Sequence, residues 1–145
     1  MTGTAKAHAI VIGLALAMGA CATPASEQMK SGVVGSVNPE FTVDARKADV
    51  GHDLFGSRGC MGCHSIGHGR LAGPDLFGVT ERRTIAWLTS FLKDTNAMLE
   101  TDPIAQSLLE EFKGSKMPQI KLTDAEIEGV IHYLQRKTND RREGK

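Results

Sequence analysis

Cys60-Met61-Gly62-Cys63-His64 constrains this chain more than any other stretch of it. Two thiols separated by two residues, with a histidine directly after the second, read as a covalent attachment site for a c-type haem. The spacing lets both sulfurs reach vinyl substituents on one porphyrin edge, and the adjacent imidazole then comes under the iron. Other uses of C-x-x-C need surroundings that this sequence lacks. A thioredoxin-like pair needs a βαβ setting, and a zinc site needs further Cys or His pairs at matching spacing. The chemistry such a site implies is one-electron redox, done by the cofactor, with the protein setting its potential and its access.

The other cysteine, Cys21, closes an uncharged N-terminal segment. Lys6 gives a short positive region, and Ala9 to Gly19 is an apolar run of eleven residues, which is signal-peptide length and short of a bilayer span. Met18-Gly19-Ala20-Cys21 resembles a lipoprotein signal, which implies removal of residues 1–20 and lipidation of Cys21. A lone exported thiol is otherwise unexplained. Plain secretion and a retained N-terminal helix are the alternatives. Residues 21–48, with Pro24, Gly32, Gly35, Pro39 and few large apolar side chains, read as a tether that gives the following domain reach from a membrane surface. Val33, Val34, Val37, Phe41 and Val43 could lie along the domain as an extended arm.

Charge excludes one class of partner. The chain holds 17 basic and 17 acidic residues; removing residues 1–20 takes away Lys6 alone, which leaves 16 against 17. A near-neutral chain of this kind is not a nucleic-acid binder, and docking must rest on local charge.

From residue 49 onward the apolar pattern is helical throughout. Asp49 to Arg58 reads as a first helix, with Leu54 and Phe55 on its buried face and Gly51 permitting close approach of another helix. Thr80 to Arg83 opens a second run through Ile85, Trp87, Leu88, Phe91 and Leu92 that ends near Asp94 to Asn96. Asp102-Pro103 starts a third as N-cap and first helical residue, and Gly114 stops it. Thr123 and Glu126 form a capping box ahead of Ile127, Val130, Ile131 and Leu134, with Leu122 at staple spacing from Ile127. No run alternates for long enough to require a strand. The expectation is an all-α domain over residues 49–137, four or five helices around one covalently bound haem, followed by a charged, fraying tail over 138–145. A domain of this size buries limited apolar area, so the haem supplies much of its core and the apoprotein folds poorly.

One histidine leaves the sixth iron position to be filled. Met117 leads: it lies in Gly114-Ser115-Lys116-Met117-Pro118, between helices, where Pro118 keeps it out of helical conformation. Met98, in an expected loop from Asn96 to Glu100, is the alternative methionine. His52, His68 and His132 are alternative nitrogen donors, and an open site is the remaining case.

These residues, together with Gly51…Leu54-Phe55, Gly73-Pro74-Asp75-Leu76, Met117-Pro118 and Ile131-His132-Tyr133-Leu134, resemble a class I monohaem cytochrome c from Asp49 to about Gln135. The resemblance implies that the first and last helices cross near Gly51 and Tyr133. It implies that the Pro74 carbonyl accepts a hydrogen bond from the second nitrogen of His64 and so orients the ring. It implies one haem c held by Cys60, Cys63, His64 and Met117, at a positive potential. The expected role is an electron carrier rather than an enzyme, a monomer or a subunit of a larger oxidase or reductase, in the bacterial periplasm, membrane-anchored through Cys21, with redox proteins as partners. Arg58, Arg70, Lys113, Lys116 and Lys121 are candidate docking charges, with Glu110, Glu111, Glu126 and Glu128 expected elsewhere. An exposed apolar face on Trp87 to Phe91 or Ile104 to Phe112 would favour the subunit reading.

Overall fold

The structure, a computed structural model, describes Asn38 and residues 41–145. The chain divides into two units, Met1–Val33 and Val34–Lys145, and every described residue lies in the second. The expected leader, the Cys21 lipid site and the arm valines Val33, Val34 and Val37 fall outside the described residues. The described part is helical and contains no strand: α1 (Ala45–Ser57), a single 3-10 turn (Cys60–Gly62), α2 (Val79–Arg82), α3 (Ile85–Lys93), α4 (Thr95–Thr101), α5 (Pro103–Glu111) and α6 (Asp124–Arg142). None of these helices is long and apolar enough to cross a membrane.

α6 is the axis of the fold. Its residues 129–134 are buried without interruption, so this middle stretch is enclosed on all sides. Val130, Tyr133 and Leu134 pack with Phe55 of α1, while Ile127 and Ile131 pack with Leu88 of α3. The capping box is formed: Thr123 Oγ1 accepts from the Glu126 N–H, and the Glu126 carboxylate accepts from the Thr123 N–H at 2.7 Å. Leu122 joins the cluster around Ile127, as the staple spacing requires.

α1 and α6 cross at backbone contact. A Cβ added at Gly51 would lie 2.0 Å from the Gly129 carbonyl oxygen and 2.8 Å from the Tyr133 Cβ. The crossing is thus glycine on glycine, one turn before the expected aromatic. Arg136 fastens it, its guanidinium bonding Asp49 Oδ1 at 2.6 Å and the Ala48 carbonyl at 3.1 Å.

Four boundaries differ from the sequence reading. α1 begins four residues earlier than Asp49, because Asp44 caps it by accepting from the Lys47 N–H and Ala48 packs inside with no exposure. Phe41 and residues 44–48 therefore belong to the domain rather than to a tether, with Phe41 against the Leu88 cluster. The run from Thr80 is two helices, because Thr84 caps a fresh start by accepting from the Trp87 N–H at 3.1 Å. The expected loop from Asn96 to Glu100 is helix α4, capped by Asp94, which also ends α3. With α4 the count among the described residues is six helices, above the four or five expected.

The segment from 138 is not a fraying tail up to Arg142. Thr138 is fully buried, accepts from the Gly78 N–H at 3.0 Å and donates to the Leu134 carbonyl. Arg142 makes two 2.6 Å bonds to the Glu81 carboxylate, and Arg141 donates to the Gly67 carbonyl. These partners lie far away in sequence, so local composition could not announce them.

Candidate haem site

The site starts where α1 stops. Gly59 has φ 77°, the left-handed region that glycine enters without penalty, and this turns the chain into the Cys60–Gly62 turn. The N–H groups of Cys63 and His64 both donate to the Cys60 carbonyl, at 3.2 and 3.0 Å. That winding sets Cys60, Cys63 and His64 along one cleft. Burial pushes the Cys60 thiol above its ordinary pKa, the reverse of the activated thiolate that a dithiol redox pair needs.

His64 is fixed by its loop. Its Nδ1 donates to the Pro74 carbonyl at 2.9 Å, the bond implied by the resemblance, and Nε2 is left as the nitrogen with a free lone pair. Gly73 lies flat against the ring: a Cβ there would come within 2.5 Å of Cε1. The loop is tied at both ends, by Gly73 N–H to the Cys63 carbonyl and Leu76 N–H to the Ser65 carbonyl, each at 2.8 Å. Asp75 closes it from within, its carboxylate accepting from the N–H groups of Gly67, Gly69 and Phe77. Burial alone would raise the Asp75 pKa; the backbone bonds outweigh it, with help from Ser65, and hold it at about 2.

The facing wall comes from the other end of the domain. Met117, with Ser115, Lys116 and Pro118, lines the same cleft as His64. Leu92, Phe91 and Leu99 from α3 and α4, and Leu108 and Phe112 from the α5 side, complete an apolar interior. The cleft has a volume of about 230 Å³ and opens to solvent at its mouth. Arg70 joins the two walls: its guanidinium lies 3.7 Å over the Phe112 ring and bonds the Glu111 carbonyl at 2.7 Å.

The alternative ligands lie elsewhere. Met98 is on α4 and does not line the cleft. His52 is exposed, edge-on to Tyr133. His68 is exposed beside Arg141. His132 is buried, but its Nδ1 accepts from the Asp44 N–H at 3.1 Å and its ring meets Phe41. Burial, then the nearby Lys47 charge, lowers its pKa and keeps it neutral.

Two residues missed in the sequence also face the cleft, Arg82 and Arg83. In the sequence they read only as the opening of a helix; Arg82 is exposed and bonds the Phe77 and Asp75 carbonyls, and Arg83 lies over the Trp87 ring at the cleft's edge. Two thiols, a free imidazole nitrogen, a thioether, apolar walls and two guanidinium groups fit a flat apolar ring that carries iron and two carboxylates. The docking charges are less one-sided than expected. Arg58 pairs with Glu126 at 2.9 Å and Arg70 with Glu111 at 3.2 Å, so two of the acids expected elsewhere neutralise two of the bases. Of the two helices that could carry an apolar docking face, only Ile104 stands out as an exposed large apolar residue, at 38 %.

A family model described as cytochrome c matches residues 48–137. Among solved structures, a cytochrome c from Rhodothermus marinus is similar, with 27% identity, 68% of this chain and 83% of that chain covered, and a TM-score of 0.64. The cytochrome c domain of a Pseudomonas putida protein is similar at 38% identity, covering 61% of this chain and 88% of that one, with a TM-score of 0.55. No curated protein matches.

Proposed function

Since this chain belongs to the cytochrome c family, we propose that it shuttles single electrons between respiratory redox partners outside the cytoplasm, tethered to a membrane by lipid on Cys21. Haem c, which the family binds covalently, supplies the one-electron couple at its iron when bound. The rest is the work of the chain. Cys60 and Cys63 would hold the ring by its edge, and the Nε2 of His64 and the thioether of Met117 would ligate its iron. The observation that carries this reading is that these four side chains line one apolar cleft.

The surroundings serve the same task. The Pro74 carbonyl holds the imidazole at one angle, so little has to move when the charge on the iron changes. Thioether ligation and apolar walls both favour the reduced state. Cys63 is exposed and Met61 is 60 % exposed, which puts the attachment edge at the surface where a partner can approach. Among the described residues Lys113, Lys116 and Lys121 carry no ion pair, so they remain to meet an acidic partner.

The test is a potentiometric titration of the purified holoprotein, followed by mixing of the reduced form with oxidase-containing membranes. One reversible electron per chain is expected. Oxidation by membranes should far outpace oxidation by dioxygen alone, and should slow as salt rises. Turnover of dioxygen or an oxyanion by the isolated protein would overturn the carrier reading. Mass spectrometry of the mature N-terminus tests the anchor: acylated Cys21 is expected, and a free thiol there contradicts it.

A further inference from the structure

We infer that Gln119 is a positioning residue for the axial methionine, acting as the anchor of the loop that carries Met117; the inference rests on the ligation of iron by Met117. Residues 116–122 run without secondary structure between α5 and α6. Among the described residues, every hydrogen bond from this stretch to the remainder of the protein comes from the Gln119 side chain. Its Oε1 accepts from the Thr95 N–H at 2.8 Å, and its Nε2 donates to the Lys93 carbonyl at 3.2 Å. A second contact of Nε2, to the Ile120 carbonyl at 3.4 Å, stiffens the loop itself.

The two outside partners are unsatisfied helix ends: a terminal carbonyl of α3 and the first N–H of α4. Asp94 sits between the helices and caps the Ala97 N–H, so it does not serve the Thr95 N–H. One amide therefore bridges the α3–α4 corner. Thr95 is buried and donates to the carbonyl of Phe91, which lines the cleft together with Leu92.

Little slack separates this anchor from the sulfur-bearing residue. Only Pro118 intervenes, so the Cα atoms of Met117 and Gln119 lie at most about 7.6 Å apart. Pro118 fixes its own φ and restricts Met117 to extended backbone. Fixing Gln119 thus fixes where the Met117 side chain starts. Without the anchor, the loop is held by Leu122 at its far end and by the α5 stop at its near end, and the thioether is free to leave.

The test reads displacement of the thioether by added imidazole in the ferric holoprotein, followed by loss of the sulfur-to-iron charge-transfer absorption. Gln119→Ala and Gln119→Leu, the second keeping the bulk, should bind imidazole about tenfold more tightly than the parent, as expected for the loss of two neutral hydrogen bonds. Both should retain the sulfur absorption when no imidazole is present. Gln119→Glu keeps the acceptor for the Thr95 N–H and should stay within about threefold of the parent. Met117→Ala run alongside separates the two claims. If it keeps the sulfur absorption, the ligand assignment itself fails. If it loses that absorption while Gln119→Ala and Gln119→Leu bind imidazole as the parent does, Met117 stands and Gln119 is no anchor.

Discussion

At the scale of single residues, the site depends on a few backbone-directed bonds that place its side chains. Asp75 shows this in a measurable way. Its pKa is about 2 in the fold against 3.8 for the ordinary side chain. A depressed carboxylate stabilises the fold above the ordinary value, and that contribution is lost as pH falls from about 4 towards 2. Asp75→Asn should therefore cost about 1 kcal/mol at neutral pH, the share of that shift left after solvent screening, and the gap from the parent should close in acid. Denaturant titrations across that range check it, and a gap independent of pH contradicts the role. The sequence singled out the thiols and His64 by spacing and Met117 by its place before Pro118 in a loop, and all four line the cleft. Arg82, Arg83 and Gln119 were not legible in it, because nothing in a short polar stretch tells which neighbour from another element it will meet.

At the scale of elements, the fold turns on how closely α1 approaches α6. Gly51 faces backbone, so an added methyl has nowhere to go, whereas Gly129 meets the Lys47 carbonyl oxygen at 3.1 Å. Gly51→Ala should cost about 3 kcal/mol or more, with Gly129→Ala clearly milder because helix propensity repays part of its strain. Equal costs in thermal melts would contradict the crossing. Thr123→Ala removes the α6 cap and should cost about 1 kcal/mol in the same assay. Capping chemistry made the starts of α5 and α6 readable to the residue. It failed at α1 and α4, where Asp44 and Asp94 cap helices whose first turns are polar or built from alanine, so no apolar period marks them. It failed again at the far end of α6, where a charged surface composition conceals Thr138 buried against Gly78.

At the scale of the whole described domain, a small helical body surrounds an apolar cleft. Without a ring inside it, the walls from α3 to α5 would face water or collapse, so cofactor and fold stand together. A Cys60→Ala, Cys63→Ala variant made without haem should lack fixed aromatic circular dichroism and a cooperative melt; a melt like that of the holoprotein would contradict this. The central claim is that iron is held between His64 and Met117 in a ring bonded to Cys60 and Cys63. Its most direct test is the absorption spectrum of the ferric holoprotein beside Met117→Ala and Met98→Ala. The sulfur-to-iron band should vanish in Met117→Ala and persist in Met98→Ala; a band that survives the loss of Met117, or vanishes with Met98, would contradict the assignment.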